Sequence, residues 1–315
     1  MVCGLRFNLA VFLLAFACLV LIYDATRTRH IYKIYENGSL SPKFSFAKEE
    51  RTPWKEEKFH LRSQCFYTAF YDTPDDQVWD KLKQSNEYCQ SKVLLKEESI
   101  QALDNDDETK HYLMPLKGVT LKPCSIITLG IGHDVKVETK FKEQFPTCSF
   151  QGADPITKVN EEIYKPIGKF HPFAVGNQSK TEWTSVKEDP NTEVYTNKDF
   201  VHVELVEFLR DHAKIPPSEP IDQLLVDIEY AEYAMFDYFY KGGKLDEAGY
   251  TICQWNGEFH NPSAAQKTAF GQFLKRISRE ERYLFLKVVQ YSHSRLLFVN
   301  VEDSRCYERY VAGQL

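Results

Sequence analysis

The sequence lacks the features that mark nucleic-acid-binding, fibrous or disordered proteins. Its 39 lysines and arginines are outnumbered by 45 aspartates and glutamates, so the formal charge of −6 offers no basic surface to a phosphate backbone. The 14 glycines and 14 prolines among 315 residues are too few for a collagen-like or low-complexity chain. With 43% apolar and 27% charged residues the composition is globular, and we predict no nucleic-acid partner.

Several nucleotide-binding and metal-binding motifs are also missing from the sequence. There is no GxxxxGK[ST] loop, which excludes a P-loop NTPase, and there is no complete G-x-G-x-x-G dinucleotide fingerprint. No CxxC pair and no Cys/His spacing typical of zinc occurs, so we assign no metal ligands from the sequence. The informative features are an apolar N-terminal run and a long α/β pattern after it.

One long apolar run lies near the N-terminus. Residues 7–23 are apolar or aromatic except for Asn8, and 17 residues is the short end of what crosses a bilayer. We therefore predict a tail over 1–6, a transmembrane anchor over 7–23 and a polar stem over 24–60. The alternative is a cleaved signal peptide, which would make the protein secreted.

Two kinds of signal disagree about the orientation of this anchor. More basic residues follow the span than precede it, which favours a cytoplasmic main domain. Against this, Asn37-Gly38-Ser39 and Asn177-Gln178-Ser179 are glycosylation sequons. Six cysteines beyond the anchor permit three disulfides: Cys65, Cys89, Cys124, Cys148, Cys253 and Cys306. We expect a single-pass glycoprotein of the endoplasmic reticulum or Golgi with a luminal C-terminal domain.

Short apolar runs alternate with helical patterns from residue 120 onwards. Such alternation predicts βαβ units and an α/β fold with a mostly parallel sheet. The last two of seven predicted strands have no helix between them, which predicts an antiparallel edge hairpin. The predicted strands are 124–129, 148–153, 170–175, 221–228, 250–255, 283–289 and 295–301. This domain covers 120–302, between an N-terminal extension over 61–119 and a C-terminal tail over 303–315.

Parallel sheets bind ligands where their strands end, so the residues after each strand are the candidates. Gly130-Ile131-Gly132 follows the first strand, and glycines there let the backbone approach a ligand. Asp154 follows the second strand, where a carboxylate can accept hydrogen bonds from both hydroxyls of a ribose. This combination is typical of a nucleoside-cofactor site, and the missing dinucleotide fingerprint favours S-adenosylmethionine.

These segments resemble the FkbM-type methyltransferases, and especially a divergent, membrane-anchored nematode branch of them. The resemblance covers about 120–302 and implies a Rossmann-like class I methyltransferase with S-adenosylmethionine as methyl donor. The segments that carry it are Ile126 to Asp134, Gly152-Ala153-Asp154-Pro155, Phe173 to Gly176 and Val226 to Glu232.

The same resemblance implies two sets of site residues. The cofactor would be held by the first set, with its adenine flanked by the last two members: Gly130, Gly132, Asp154, Ala174 and Val175. The second set would lie at the reaction edge: Asp227, Glu229, Glu258 and His260. We predict that Asp227 orients or deprotonates an acceptor hydroxyl, with His260 as a second candidate base. The acceptor would be a small molecule or a glycan.

Two departures from the family pattern keep other functions open. Thr128 stands where many members carry an acidic residue, and Tyr230 stands where many carry glycine. Both would fit a non-catalytic binding module that kept the fold. A Golgi-type glycosyltransferase is the other alternative, because Asp104-Asn105-Asp106 matches the Asp-x-Asp pattern. We predict residues 104–108 as a solvated loop and Glu232 as a surface charge of a helix.

Overall fold

The computed structural model describes residues 56–106, 108–187, 192 and 194–315. The predicted tail, anchor and nearly all of the predicted stem lie outside these residues, together with the sequon at Asn37. In the part of the chain that the structure describes, no helix has both the length and the apolar character needed to cross a membrane.

Strands and helices alternate along most of the described chain. The strands are β1 (Ile100–Asp104), β2 (Thr109–Leu113), β3 (Ser125–Leu129), β4 (Ser149–Ala153), β5 (Lys169–His171), β6 (Ala174–Gly176), β7 (Lys180–Lys187), β8 (Tyr195–Glu204), β9 (Gln223–Val226), β10 (Gln254–Phe259), β11 (Tyr283–Gln290) and β12 (Ser294–Asn300). The α-helices are α1 (Glu57–Tyr71), α2 (Val78–Lys92), α3 (Lys136–Gln144), α4 (Thr157–Tyr164), α5 (Leu205–Glu207), α6 (Phe236–Phe239), α7 (Lys244–Glu247), α8 (Ala264–Glu280) and α9 (Ser304–Cys306).

A seven-stranded sheet in the order β11-β12-β10-β9-β3-β4-β5 forms the centre of the molecule. Strands β10, β9, β3, β4 and β5 run parallel to one another. Strand β12 runs antiparallel to both β10 and β11. The predicted mostly parallel α/β sheet with an antiparallel edge hairpin is therefore confirmed.

Side chains on alternate residues of the central strands point to opposite faces of this sheet, and both faces are covered. Ile127 and Leu129 of β3 pack in one hydrophobic cluster, whereas Ile126 packs in another. Strand β9 divides in the same way, with Leu224 in the first cluster and Leu225 in the second. A continuous apolar strand is the expected sequence of a parallel strand buried on both faces.

Two predicted strands differ from the structure. The run 170–175 is split at Pro172, because β5 ends in the main sheet and β6 belongs to a separate sheet of order β6-β8-β7. Proline has no N–H to donate to a strand ladder, which explains a break at that residue. The run 250–255 is also displaced, since β10 covers Gln254–Phe259 and only an isolated parallel bridge between Ile221 and Ile252 precedes it.

The β1–β2 hairpin is attached to the main sheet through two side-chain amides of β10. Gln254 accepts a hydrogen bond from the N–H of Leu113 at 2.7 Å and donates to its carbonyl oxygen at 2.9 Å. Asn256 makes the same pair of contacts with the backbone of His111, at 3.1 and 2.8 Å. The two amides thus pair with β2 as a neighbouring strand would, and they bring the start of β2 towards the edge of the sheet.

The six cysteines of the described chain form three disulfides: Cys65–Cys89, Cys124–Cys148 and Cys253–Cys306. The first joins helices α1 and α2. The second joins the residues just before β3 and β4. The third ties the start of β10 to α9 near the C-terminus. The sequence allowed three bridges, and the structure supplies their connectivity.

Candidate active site

The register of the parallel strands brings four chain segments to one edge of the sheet. Ala153, Leu129, Val226 and Gly257 lie side by side on β4, β3, β9 and β10. The next residues along the chain are Asp154, Gly130, Asp227 and Glu258. Four of the residues assigned from sequence therefore follow neighbouring strands at the same edge.

The turn after β3 needs glycine for steric reasons. Gly130 has φ +81°, and a Cβ atom there would lie 1.7 Å from the carbonyl oxygen of Asp227. Gly132 has φ +63° but faces open space, since a Cβ atom added to it would have no neighbour within 4 Å. The first glycine lets two strand ends approach closely, and the second leaves room above the turn.

Asp154 braces this glycine turn. Its Oδ2 atom accepts hydrogen bonds from the N–H groups of Ile131 at 2.8 Å and Gly132 at 3.3 Å, and its Oδ1 atom accepts from Ile156 at 2.7 Å. Burial raises the pKa of Asp154, although these backbone donors oppose the rise. In this structure the carboxylate is mostly occupied by backbone amides, so its first role is to fix the shape of the turn.

Ala174 and Val175 lie on β6, outside the main sheet. Val175 is buried and packs in the hydrophobic core, while Ala174 is half-buried. The core position leaves the side chain of Val175 little surface for a ligand.

Thr128 is buried on β3, and its hydroxyl donates to Glu138 Oε1 of α3 at 2.9 Å. Glu138 is itself 1% exposed, and burial raises its pKa. A carboxylate therefore lies next to Thr128, the position at which the FkbM resemblance led us to expect an acidic residue on the strand itself. The departure at Thr128 is accompanied by an acid supplied from the following helix.

The backbone after β9 adopts a rare conformation. Glu229 and Tyr230 both have positive φ, +48° and +72°. This left-handed region is unfavourable for a bulky residue, which gives a physical reason to expect glycine at position 230. The Tyr230 ring is 43% exposed and its centroid lies 5.2 Å from that of His260.

His260 lies at the centre of the candidate active site. Its Nδ1 atom lies 2.9 Å from Glu232 Oε1, which also accepts the backbone N–H of His260 at 2.8 Å. On the other side of the ring, Nε2 is 3.5 Å from Asp227 Oδ1 and 3.4 Å from Glu229 Oε2. The structure thus brings Asp227, Glu229 and His260 together, and the fourth predicted catalytic residue, Glu258, has a ligand atom within 4.8 Å of those of Asp227 and His260. The structure also corrects the prediction for Glu232, which is buried at 2% exposure rather than on the surface.

A second group of charges lies beside this histidine. Glu258 binds Arg295 through both oxygens, at 2.8 and 2.9 Å. Glu108 contacts Arg295 at 3.2 Å and forms an ion pair with the buried Lys110. Asp227, Glu108 and Glu258 lie close enough to share one ion, because their oxygens fall within 4.8 Å of one another. The predicted solvated loop over 104–108 is therefore wrong at Glu108.

Burial and the neighbouring charges set the protonation states of Asp227 and His260. Burial raises the pKa of Asp227 to about 7, with Glu108 and Glu229 adding to the rise and Lys110 opposing it. Burial alone would lower the pKa of His260, but Glu232, Asp227 and Glu229 outweigh it and raise that pKa to about 9. At neutral pH His260 is therefore cationic, and Asp227 is the group able to gain or lose a proton.

Sequence reasoning missed Glu108, Lys110 and Arg295. A signal for the first two exists, because Lys110 of β2 and Glu108 just before that strand alternate in phase with the buried Tyr112 and so fall on the same side. The residues of the Asp-x-Asp pattern, Asp104 to Asp106, make structural contacts outside this group of charges. Asp106 pairs with Lys136, and Asn105 accepts the N–H of Val137, so they attach the β1–β2 turn to α3.

The strand order and this carboxyl-edge site define a Rossmann-like fold of the methyltransferase type. The family model of the methyltransferase FkbM domain matches residues 97–286, more than half of the chain. The chain therefore belongs to the FkbM methyltransferase family. The match begins inside the predicted extension 61–119 and includes the β1–β2 hairpin. No curated protein matches the sequence.

Proposed function

We propose that this chain is an S-adenosylmethionine-dependent O-methyltransferase acting on a hydroxyl of a sugar, a lipid or a small metabolite. The observation that carries the proposal is the row formed by Gly130, Asp154, Asp227 and Glu258 at the carboxyl edge of an FkbM-family sheet. Members of this family are generally S-adenosylmethionine-dependent, and this edge is where parallel sheets bind ligands.

The residues at the edge fit this cofactor in shape and in charge. The open space at Gly132 leaves room above the glycine turn that Asp154 braces. The side chains of Asp227 and Glu229 are 29% and 27% exposed, so their negative charge is accessible to a cationic ligand. S-adenosylmethionine carries a positive sulfonium and, when bound, supplies an electrophilic methyl group. We propose Gly130, Gly132 and Asp154 as its principal contacts, with Ala174 near its base.

Asp227 would orient the acceptor hydroxyl and accept its proton. A carboxylate with a pKa of about 7 suits this role, because a general base works best when its pKa is near the operating pH. His260 would act as a fixed positive charge that holds Asp227 and Glu229 in place, not as the base. Glu258, which Arg295 holds on both oxygens, would shape the electrostatic field of the site.

The exposed ring of Tyr230 supports a ring-shaped acceptor. It lies beside His260 at the reaction edge, and an exposed aromatic face can pack on a sugar ring. The three disulfides support an oxidising compartment such as the lumen of the endoplasmic reticulum or Golgi. This proposed location has two forms: a protein held in the membrane by an anchor over 7–23, and a secreted protein from which the N-terminal segment has been cleaved.

The first test is cofactor binding by isothermal titration calorimetry on the full chain. We expect a dissociation constant in the micromolar range, in keeping with usual substrate affinities. Asp154→Ala should remove binding, because the glycine turn loses its brace. Asp199→Ala, on an exposed position of β8, is the matched control and should bind normally. A folded wild-type chain that does not bind S-adenosylmethionine would overturn the cofactor assignment.

The second test separates catalysis from binding with Asp227→Asn. The amide keeps the shape of the side chain but cannot take a proton, so methyl transfer to a panel of hydroxyl acceptors should fall about 100-fold or more. The affinity for S-adenosylmethionine should change less than about threefold. Loss of transfer and cofactor binding together would show a structural role. Cofactor binding without transfer by the wild-type chain to any acceptor would favour the binding-module alternative.

A further inference from the structure

The orientation of His260 is fixed by a carboxylate behind it. Glu232 Oε1 lies 2.9 Å from Nδ1 and 2.8 Å from the backbone nitrogen of the same histidine, and both residues are buried. Tyr233 adds a hydrogen bond from its hydroxyl to the carbonyl oxygen of His260. A histidine whose Nδ1 is bound by a carboxylate presents Nε2 in one direction, as metal-binding histidines in proteins do.

The Nε2 atom of His260 lies between two carboxylates, and both distances are long for hydrogen bonds. The separations of 3.5 Å from Asp227 Oδ1 and 3.4 Å from Glu229 Oε2 exceed those of ordinary N–H···O hydrogen bonds. Two ligand atoms bound to one ion at about 2.1 Å lie about 3.0 Å apart at right angles and about 3.4 Å apart at tetrahedral angles. Nε2 is thus spaced from each carboxylate oxygen as two ligands of one ion are spaced, and the ligand atoms of all three side chains lie within 4.8 Å of one another.

The local charge also favours a cation. Lys110 and Arg295 lie against Glu108 and Glu258 and compensate those two carboxylates. Three carboxylates, those of Asp227, Glu229 and Glu232, lie around the single imidazole ring of His260, so negative charge is concentrated there.

A second histidine lies beside this group. His293 has its ring centroid 4.7 Å from that of His260, and its Nδ1 atom is buried with no hydrogen-bond partner in the described part of the chain. His293, His260 and Glu258 also have ligand atoms within 4.8 Å of one another. A buried nitrogen without a partner is a costly feature that a bound ion would satisfy.

We propose that Asp227, Glu229 and His260 bind a divalent transition-metal ion, with Glu232 as the positioning residue and His293 as the nearest additional ligand. A site with both imidazole and carboxylate ligands suits Mn²⁺, Co²⁺ or Zn²⁺ better than it suits cations that prefer oxygen ligands alone. The role of the ion rests on the proposed function. Ion binding would displace the Nε2 proton of His260, so the ion would replace the positive charge of that histidine, and Asp227 would be a ligand instead of the proton acceptor. The ion would hold the acceptor oxygen and favour loss of its proton to water. Ion binding itself can be tested without any acceptor.

The test is a titration of the chelator-treated full chain with Mn²⁺, followed by electron paramagnetic resonance. We expect one ion per chain at micromolar concentration. Glu229→Gln and His260→Gln should each weaken binding at least tenfold. Glu232→Ala should weaken it about 10- to 100-fold, as removal of the carboxylate behind a metal-binding histidine does, and Glu232→Gln should restore part of the affinity.

The matched control is His60→Gln. His60 also contacts a glutamate, Glu281, at 2.9 Å, but on the surface and away from the candidate active site. Its removal should leave Mn²⁺ binding unchanged. Because Glu229 is partly exposed, Glu229→Gln keeps the proposal testable even if His260→Gln does not fold.

Two results would overturn the metal proposal: no stoichiometric Mn²⁺ binding by the folded wild-type chain, or binding that neither Glu229→Gln nor His260→Gln weakens. Cofactor binding and methyl transfer that persist in chelator would then leave the proposed function standing alone. Mn²⁺ binding without S-adenosylmethionine binding would support the metal site and overturn the cofactor assignment of the proposed function.

Discussion

At the scale of single residues, the candidate active site depends on backbone conformations that most side chains avoid. Gly130 is required because a Cβ atom would collide with the carbonyl of Asp227. Tyr230 is the contrasting case, since a bulky residue occupies a left-handed conformation at φ +72°. Strain of this kind is retained where the surrounding structure imposes it, and it is concentrated at functional sites.

Tyr230→Gly tests what this strained residue does. Glycine adopts positive φ without steric cost, so the free energy of unfolding should stay within about 1 kcal/mol of wild type despite the loss of the ring. The ring should matter for the acceptor instead, and KM for a sugar acceptor should rise about tenfold while S-adenosylmethionine affinity stays unchanged. Urea denaturation and steady-state kinetics measure the two effects.

Tyr88→Gly is the control for Tyr230→Gly, because Tyr88 is also exposed but lies in the interior of α2. There glycine should destabilise the protein by about 1 kcal/mol, since helical φ needs no glycine. If Tyr230→Gly destabilised the chain more than Tyr88→Gly, the tyrosine would be needed for packing and its proposed role with the acceptor would lose support.

At the scale of elements, the sequence predicted the central strands and missed the hairpin that completes the site. Strands β3 and β9 are mostly apolar runs buried on both faces, and such runs need no tertiary information to be recognised. The residues that follow them, Gly130 and Asp227 among them, then fall at one edge by topology alone.

The hairpin could not be placed in this way. Its contribution to the site depends on side-chain amides of β10, whose pairing with β2 has no sequence pattern of its own. Arg295 likewise reaches Glu258 from the neighbouring strand β12, and Glu232 reaches His260 from the segment after β9. Ion pairs and hydrogen bonds between such distant residues follow from the fold and cannot be read from local spacing.

Gln254→Leu tests the attachment of the β1–β2 hairpin. The substitution leaves the buried N–H and carbonyl of Leu113 without the partners that the amide supplies, and each unsatisfied group costs about 1–3 kcal/mol. We therefore expect the free energy of unfolding in urea to fall by about 2–6 kcal/mol. Gln101→Leu is the control, because Gln101 lies on the exposed face of the same hairpin.

The Gln254→Leu variant tests the candidate active site as well as the stability of the protein. If the hairpin loosens, Lys110 and Glu108 move away from Arg295, and any activity should fall together with stability. A Gln254→Leu variant as stable as Gln101→Leu would show that the hairpin is held by its apolar contacts, and the amide pairing would then be incidental.

At the scale of the whole molecule, three disulfides hold separate regions of one domain together. Cys253–Cys306 closes a loop with a sequence separation of 53 residues, and Cys124–Cys148 one of 24 residues. The third, Cys65–Cys89, fastens the helices that precede the family match. A chain built in this way gains stability only where thiols are oxidised, which connects the fold to its compartment.

The disulfides lead to a prediction for two variants, in each of which both cysteines of one bridge are replaced by serine. The entropy of loop closure gives about 4 kcal/mol for the longer loop and about 3.5 kcal/mol for the shorter one, so losing Cys253–Cys306 should cost slightly more. Urea denaturation of the two variants, each with two new serines, compares them on equal terms. Alkylation of the native protein should find the six cysteines beyond the N-terminal run unreactive until a reductant is added. Free thiols in the native protein, with stability unchanged by reductant, would remove the argument for an oxidising compartment and would favour a cytoplasmic domain instead.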